Sequence, residues 1–354
     1  MDEDAAVLTC YLRERHRVGA RYPGGELIDL YKRHSVAASV LLRSIEGYGP
    51  GQPPSGGRAL LLSEDPPLAA VAVDARPRID AVLGELTGLA RPRLITLERA
   101  RLLTGEIDPL WLVESSTEAT KLTIYCGHGD SAYMVPAYQA ACESLYRRGI
   151  AGATVLSGVD GTAGGLWHHA QFPRNGGDGP LMVVAVGSGE RIATILPELG
   201  GLFRHPLMTV AAVRLCKRDG QLISRPETLP ETGAAAEPAG MAPRQRLTLY
   251  TSEAARHEGQ PVHRVIVRRL RSIGVSGATS QRGIWGFHGN HAPHGGHSPR
   301  HGRHVPVVTT VIDVPERIGA AFDVIDALTP SRGLVTVESV LVPEPAGIRT
   351  DHAS

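Results

Sequence analysis

Leu122-Thr123-Ile124-Tyr125 returns as Leu247-Thr248-Leu249-Tyr250 and, more loosely, as Leu8-Thr9-Cys10-Tyr11. Downstream of each comes a second landmark: Gly-Ala-Thr at 152–154 and 277–279, with Ala38-Ser39-Val40 at the matching place. A glycine turn follows in each copy: Ser44-Ile45-Glu46-Gly47, Gly158-Val159-Asp160-Gly161 and Gly283-Ile284-Trp285-Gly286. Arg-Ile then opens an apolar helical pattern at 78–79, 191–192 and 317–318. Four landmarks in one order define a repeat of roughly 95 residues, too long for a solenoid unit and right for a small domain. Three linked copies point to an ancestor that was a symmetric trimer.

The middle copy reads most clearly. Leu122–Cys126 is a strand, and Val135–Arg148 is a helix with Pro136 near its start and Gly149 at its stop. Thr154–Val159 is β-rich, a glycine-rich stretch runs to Gly179, and Leu181–Val186 is a third strand. Glu190–Leu199 is helical and Leu207–Cys216 holds the last strand. The order β-α-β-loop-β-α-β predicts an α+β class: three ferredoxin-like βαββαβ domains, each an antiparallel sheet with two helices on one face. Leu68-Ala69-Ala70-Val71-Ala72-Val73 and Leu181-Met182-Val183-Val184-Ala185-Val186 are apolar throughout. A sheet covered on one face alternates apolar with polar, so both faces are expected to be covered, the second by the sister repeats. The organisation read from this is repeat 1 at 7–103, a linker at 104–121, repeat 2 at 122–216, a disordered linker at 217–246, repeat 3 at 247–342 and a polar tail at 343–354.

Composition narrows the function classes. The chain has 354 residues, 42% of them hydrophobic and 5% aromatic, with a formal net charge of +1. That balance lacks the basic footprint of a nucleic-acid binder, and no strand carries a stacking aromatic pair. Arg264, Arg268, Arg269 and Arg271 crowd one helix of repeat 3 but read as its solvated face. No apolar run reaches the roughly 18 residues of a membrane span. Met1-Asp2-Glu3-Asp4 lacks the layout of a secretion signal, and the four cysteines form no CxxC, so a cytoplasmic protein without disulfides is expected. No G-x-S-x-G, P-loop lysine or H-E-x-x-H is present, and carboxylates do not pair recurrently; an enzyme is not expected.

These features resemble the PII-like family catalogued as domain of unknown function family 190, relatives of the PII signal-transduction proteins. The resemblance is carried by the Leu-Thr-Ile-Tyr opening, Gly152-Ala153-Thr154-Val155-Leu156-Ser157-Gly158, Ser63-Glu64-Asp65-Pro66-Pro67 and Pro306-Val307-Val308 with Glu316-Arg317-Ile318. Pro197-Glu198-Leu199 also matches, and nearly the whole chain outside the connectors is covered. It implies an intramolecular PII-like pseudo-trimer, a monomer in solution, with adenine nucleotide or another small effector bound in clefts between repeats. It also implies regulation of a partner protein, a membrane transporter being one such class, through long loops between the second and third strands. Those loops fall at Tyr48–Pro66, Thr162–Gly179 and Phe287–Val305 and differ greatly from one another.

Three sets of candidate residues follow. Gly187-Ser188-Gly189 with Arg191 resembles the phosphate-contacting loop of PII proteins, where amides and a guanidinium meet an anion. A strand-to-helix turn capped by Ser188 is the plainer reading. The other copies carry Asp74 and Asp313 there. Gly47, Gly49, Gly158, Gly161, Gly283 and Gly286 permit close approach of backbone to a ligand, although turn geometry alone also calls for glycine. His288, His291, His294, His297, His301 and His304 lie within seventeen residues and could chelate a divalent metal such as Zn, Ni or Cu. The alternatives to a nucleotide sensor are therefore a metal-responsive protein and a scaffold whose clefts no longer bind.

Overall fold

The computed structural model describes residues 3–14, 22–49, 65–89, 94–103, 119–132, 134–163, 166–169, 179–226, 240–289, 291–295 and 305–344. Repeat 1 comprises β1 (Glu3–Arg13), α1 (Pro23–Arg33), β2 (Ala38–Tyr48), β3 (Pro67–Ala75), α2 (Arg76–Leu89) and β4 (Leu94–Leu103). Repeat 2 follows with β5 (Ala119–Gly127), a hairpin of β6 (Ser131–Ala132) and β7 (Val135–Pro136), α3 (Ala137–Arg147), β8 (Gly152–Ser157) and β9 (Asp160–Ala163). It continues through β10 (Leu166–His169), β11 (Pro180–Gly187), α4 (Gly189–Leu202), β12 (Leu207–Arg218) and β13 (Gln221–Leu222). Repeat 3 has β14 (Met241–Ser252), a hairpin of β15 (Arg256–His257) and β16 (Gln260–Pro261), α5 (Val262–Ser272) and β17 (Ala278–His288). It ends with β18 (His294–Gly295), β19 (Pro306–Asp313), α6 (Pro315–Leu328) and β20 (Leu334–Pro343). The fold is mixed α+β, with six helices and one large antiparallel sheet among the described residues.

Within every repeat the strands pair in the same order. It is β2-β3-β1-β4 in repeat 1, β8-β11-β5-β12 in repeat 2 and β17-β19-β14-β20 in repeat 3. The first helices stop at equivalent left-handed residues, Ser35 (φ 50°), Gly149 (φ 69°) and Gly274 (φ 80°), which close the last turn and send the chain into the second strand. One strand face packs on the helices, as Leu8 and Ala70 pack with Ile28, Tyr31 and Ile79. The opposite face feeds one core drawn from all three repeats: Val7, Val40 and Val71 with Tyr125, Leu156 and Val184, and Tyr250, Val308 and Leu334. This accounts for the strands that fail to alternate. In β3 every residue but the last is buried, odd positions toward the shared core and even ones toward the helices.

The repeats are joined by their second strands. The C-terminal half of β2 pairs with the N-terminal half of β17. The C-terminal half of β17 pairs with β8, and β9 pairs with the N-terminal half of β2. The last strands β4, β12 and β20 also pair with one another. At each crossing the chain needs a residue without a Cβ. A Cβ on Gly47 would lie 2.7 Å from the Ala278 carbonyl oxygen, and one on Gly161 or Gly286 would run into the carbonyl oxygens of Ser39 or Ala153. Gly161 and Gly286 also have φ of 146° and 148°, backbone that side chains rarely adopt.

Two segments are more ordered than the sequence predicts. The stretch Thr162–Gly179, expected as a loop, carries the end of β9 and all of β10, because β9 finds a partner in β2 of repeat 1. The 217–246 segment, expected as a disordered linker, is strand at both ends: β12 runs to Arg218 along β20, β13 folds back on it, and β14 begins at Met241. Residues 227–239 lie outside the described residues. Lys217 anchors the first of these ends. It is fully buried, and its Nζ donates to the Asp326 carboxylate and to the Asp326 carbonyl oxygen at 3.2 Å, at the end of α6.

Gly286→Ala and Gly161→Ala should each cost about 2–4 kcal/mol of stability, whereas Gly49→Ala, with nothing within 4 Å of its would-be Cβ, should change it little; urea midpoints measure all three.

Candidate functional site

A groove opens at the seam between repeats 1 and 3. Tyr11, Arg13, Tyr48, Gly49, Pro67 and Leu94 line one side, and Ser276, Gly277, Ala278, Thr279, Thr310 and Ile312 line the other. Strand register places them: Tyr48 ends β2 opposite Ala278, and Tyr11 pairs with Leu94 at the mouth. The walls are largely apolar and no carboxylate is among the lining residues. Arg13 is buried and donates from Nη1 to the Asp65 carbonyl oxygen at 3.0 Å. The Tyr48 hydroxyl is buried without a hydrogen-bond partner among the described residues. Burial, reinforced by the Asp313 carboxylate and opposed by Arg271, pushes its pKa up, so it stays a neutral donor. Asp313 itself is engaged, accepting from the backbone N–H of Ser276 at 2.8 Å and of Val314 at 2.9 Å.

The glycine-turn candidates divide. Gly49 lines the groove. Gly47, Gly161 and Gly286 sit at strand crossings, where the backbone that comes close is that of the neighbouring repeat. Gly158 and Gly283 are packed similarly: their would-be Cβ atoms lie 2.7 Å from Val40 Cγ1 and 3.0 Å from the Val155 carbonyl oxygen. Gly187, Ser188, Gly189 and Arg191 form the strand-to-helix turn. Ser188 is the N-cap residue of α4, but its side chain makes no cap hydrogen bond. Arg191 donates to the Gly149 carbonyl oxygen just beyond the end of α3. Arg78 does the same to the Ser35 carbonyl oxygen at 3.1 Å, and Arg317 reaches the Ser276 hydroxyl at 3.1 Å. The three equivalent arginines thus tie each second helix to the end of the first. Asp74 and Asp313 take the place of Gly187 and satisfy local amides.

Of the six candidate metal ligands, His288, His291 and His294 are described, and His297, His301 and His304 lie outside the described residues. His288 and His291 approach with ring centroids 5.9 Å apart, and His294 Nδ1 lies 2.8 Å from the Ala292 carbonyl oxygen. Burial, then His291, His294 and Arg332, lower the His288 pKa to about 4, so it is neutral and able to ligate. No group of three or more His, Cys, Asp or Glu suited to a metal occurs among the described residues.

Sequence reasoning missed two buried charge clusters. In the first, Lys121 of repeat 2 contacts Glu98 of repeat 1 and Glu338 of repeat 3 (2.5 Å), and Arg246 contacts the same two carboxylates, Glu338 at 2.8 Å. Burial alone would raise the Glu98 pKa, yet Arg246 and Lys121 hold it well below the usual range. In the second, Glu46 on β2 faces His263 Nε2 at 3.9 Å and Arg264 Nε at 3.8 Å on α5, again across the seam of repeats 1 and 3. Burial first, then Arg264, Arg282 and Arg256, lower the His263 pKa to about 4. No sequence signal pairs such residues, because the partners lie in different repeats.

A family model, DUF190, described as an uncharacterized ACR, matches three stretches: residues 5–102, 119–215 and 244–342. Similar curated proteins are a UPF0166 protein of Aquifex aeolicus (strain VF5), 30% identical over 96 residues, and the UPF0166 protein MJ1524 of Methanocaldococcus jannaschii, 26% identical over 91 residues. The alignments cover 27% and 26% of this chain but 90% and 83% of those relatives, the extent of one repeat. Among solved structures, an aspartate kinase from Synechocystis aligns at TM-score 0.27 and 12% identity, over 96% of this chain and 44% of that one. A putative glycine cleavage system transcriptional repressor aligns at 0.18 and 13%, over 56% of this chain and 90% of that one. Scores this low add nothing to the reading of fold or function.

His263 makes the fold acid-sensitive. Its folded-state pKa is depressed, so below 6.5 the unfolded chain takes up a proton that the folded chain refuses. The contribution is complete above about pH 6.5 and is lost as pH falls toward 4, about 2–3 kcal/mol in all. Urea midpoints at pH 7 and 4.5 should differ less in His263→Gln than in the wild type; an unchanged difference refutes the assignment.

Proposed function

Because the chain belongs to the domain of unknown function 190 family in three tandem copies, we propose that it is a PII-like regulatory protein: three ferredoxin-like units fused into a pseudo-trimer that binds a small effector between repeats. The observation that carries this reading is the groove between repeats 1 and 3. It lies at a junction of two copies, and Gly49 and Pro67, at the two ends of the divergent stretch Tyr48–Pro66, both line it. An apolar groove with a few convergent polar groups is the usual form of a small-molecule site. Aromatic and aliphatic walls suit a flat heterocycle. Arg13, the Tyr48 hydroxyl and the hydroxyls of Ser276 and Thr279 suit an anionic tail, with no lining carboxylate to repel it. Adenine nucleotide fits that description. The bound effector would regulate a partner protein, such as a membrane transporter, through the long loops. The role proposed is regulatory rather than catalytic, in the cytoplasm and as a monomer. Among the described residues no helix is long and apolar enough to cross a membrane.

Metal binding at the third long loop is a second reading, favoured by the approach of His288 to His291. Replacing His291, His297, His301 and His304 by Gln should then abolish Ni or Zn uptake and leave nucleotide binding intact.

Calorimetric titration with AMP, ADP, ATP and cyclic AMP should give saturable heat for at least one. Tyr48→Phe should weaken that binding about 5–10-fold by removing one hydrogen bond. It should not lower the melting temperature, because the lost hydroxyl has no protein partner among the described residues. Folded protein that binds none of the four nucleotides defeats the adenylate reading.

A further inference from the structure

We propose that, among the described residues, only the seam between repeats 1 and 3 of the three equivalent seams is an open site, the other two being closed by packing; as a statement about effector stoichiometry this rests on the reading above. The comparison is position by position. Each seam sets the end of one repeat's second strand against the start of the next repeat's. At the seam of repeats 1 and 3 the incoming strand start is half-exposed where the other copies are shut: Gly277 and Thr279 both retain solvent contact. The strand that covers them ends at Tyr48-Gly49, and Gly49 presents no side chain.

At the seam of repeats 3 and 2 the same positions are shut. Phe287 and His288 stand where Tyr48 and Gly49 stand in repeat 1, and both are buried. Phe287 packs edge-on against Tyr146 of α3 with ring centroids 5.3 Å apart. The pairing runs one residue further, with His288 opposite Gly152, and the Gly289 N–H then donates to the Ala151 carbonyl oxygen at 2.9 Å. Leu334, the counterpart of Leu94, is buried, and its Cδ2 lies 3.0 Å from where a Cβ of Gly152 would stand. Thr154, the counterpart of Thr279, is 1% exposed.

At the seam of repeats 2 and 1 the closure is polar. The Ser39 hydroxyl lies 3.0 Å from the Thr162 hydroxyl and accepts from the Thr162 N–H at 3.2 Å. Ala38 supplies a methyl group where Gly277 has none, and Ala38 and Val40 are fully buried. The closing groups at the two shut seams differ: an aromatic, a histidine and a leucine in one, a methyl and two hydroxyls in the other. Each is closed by its own set of residues, which three identical chains in a symmetric trimer are not free to do.

Cysteine reactivity tests this without knowledge of the effector. Thr279→Cys, Thr154→Cys and Val40→Cys are near-isosteric changes at one structural position of the three seams. The four native cysteines are buried, so the wild type sets the baseline. With dithiobis-nitrobenzoate, an aromatic anion, Thr279→Cys should react about 100-fold faster than the other two, which must wait for a local opening of about 3 kcal/mol. Equal rates at the three sites overturn the proposal. Native-state amide exchange of the wild type gives the same answer independently of the variants: faster exchange at 276–279 than at 151–154 and 37–40 supports it, and uniform protection overturns it. Addition of ATP then separates the two readings. Slower labelling of Thr279→Cys and one nucleotide per chain support both. Unchanged labelling leaves the open seam standing and removes the adenine nucleotide, and three nucleotides per chain refute the single site.

Discussion

One strand in each repeat has to serve two sheets at once. The second strand spends its first half pairing within its own repeat and its second half extending the next repeat's sheet. The handover works only where the crossing residue has no side chain, because the carbonyl oxygen of the neighbouring strand occupies the place of its Cβ. An edge strand left open exposes unpaired amides and carbonyls and invites aggregation. Here the second strand of each repeat covers the edge of another, and the last strands β4, β12 and β20 cover one another. Fusion makes the arrangement independent of concentration, since each partner strand is tethered nearby.

The buried charges show what fusion permits. Val7, Lys121 and Arg246 are equivalent positions, each directly opposite a residue of its own last strand: Glu98, Ala211 and Glu338. Repeat 3 keeps a complete cation–carboxylate pair. Repeat 1 keeps only the acid and repeat 2 only the base, and these two meet across their seam. Two positive and two negative groups therefore balance in a dry centre. Leaving any one alone there would cost several kcal/mol. Lys121 reaches the acids of both other repeats, so the cluster ties all three copies together at the centre.

Much of this was legible because it is written locally. The repeat landmarks, the helix stops and the strands apolar on both faces are short-range patterns with direct physical meaning. The landmark glycines were visible too, but their role was not: from sequence a glycine that admits a ligand is the same as one that admits a strand. Gly47 and Gly286 admit strands, and Gly49, two residues on, lies in the groove. The charge cluster was hidden because Lys121 and Glu338 are 217 residues apart. The order in Thr162–Gly179 was hidden because its partner strand belongs to another copy. Taken alone, Arg191 could be an anion ligand or part of a plain turn; in the fold its guanidinium donates to the Gly149 carbonyl oxygen, a partner no local pattern announces.

A symmetric trimer must treat its three seams alike, so any residue that tightens one shuts all. That couples stability to ligand capacity: filling a groove with a leucine or a phenylalanine gains buried area but removes the site. A single chain escapes the coupling. It can bury Phe287 and Leu334 at one seam, hydrogen-bond Ser39 to Thr162 at another, and leave Gly49 and Gly277 facing each other at the third. Two seams then hold the molecule together strongly enough for the third to stay incompletely packed, with a buried hydroxyl on Tyr48 that has no protein partner among the described residues. A guest that accepts a hydrogen bond from that hydroxyl would satisfy it.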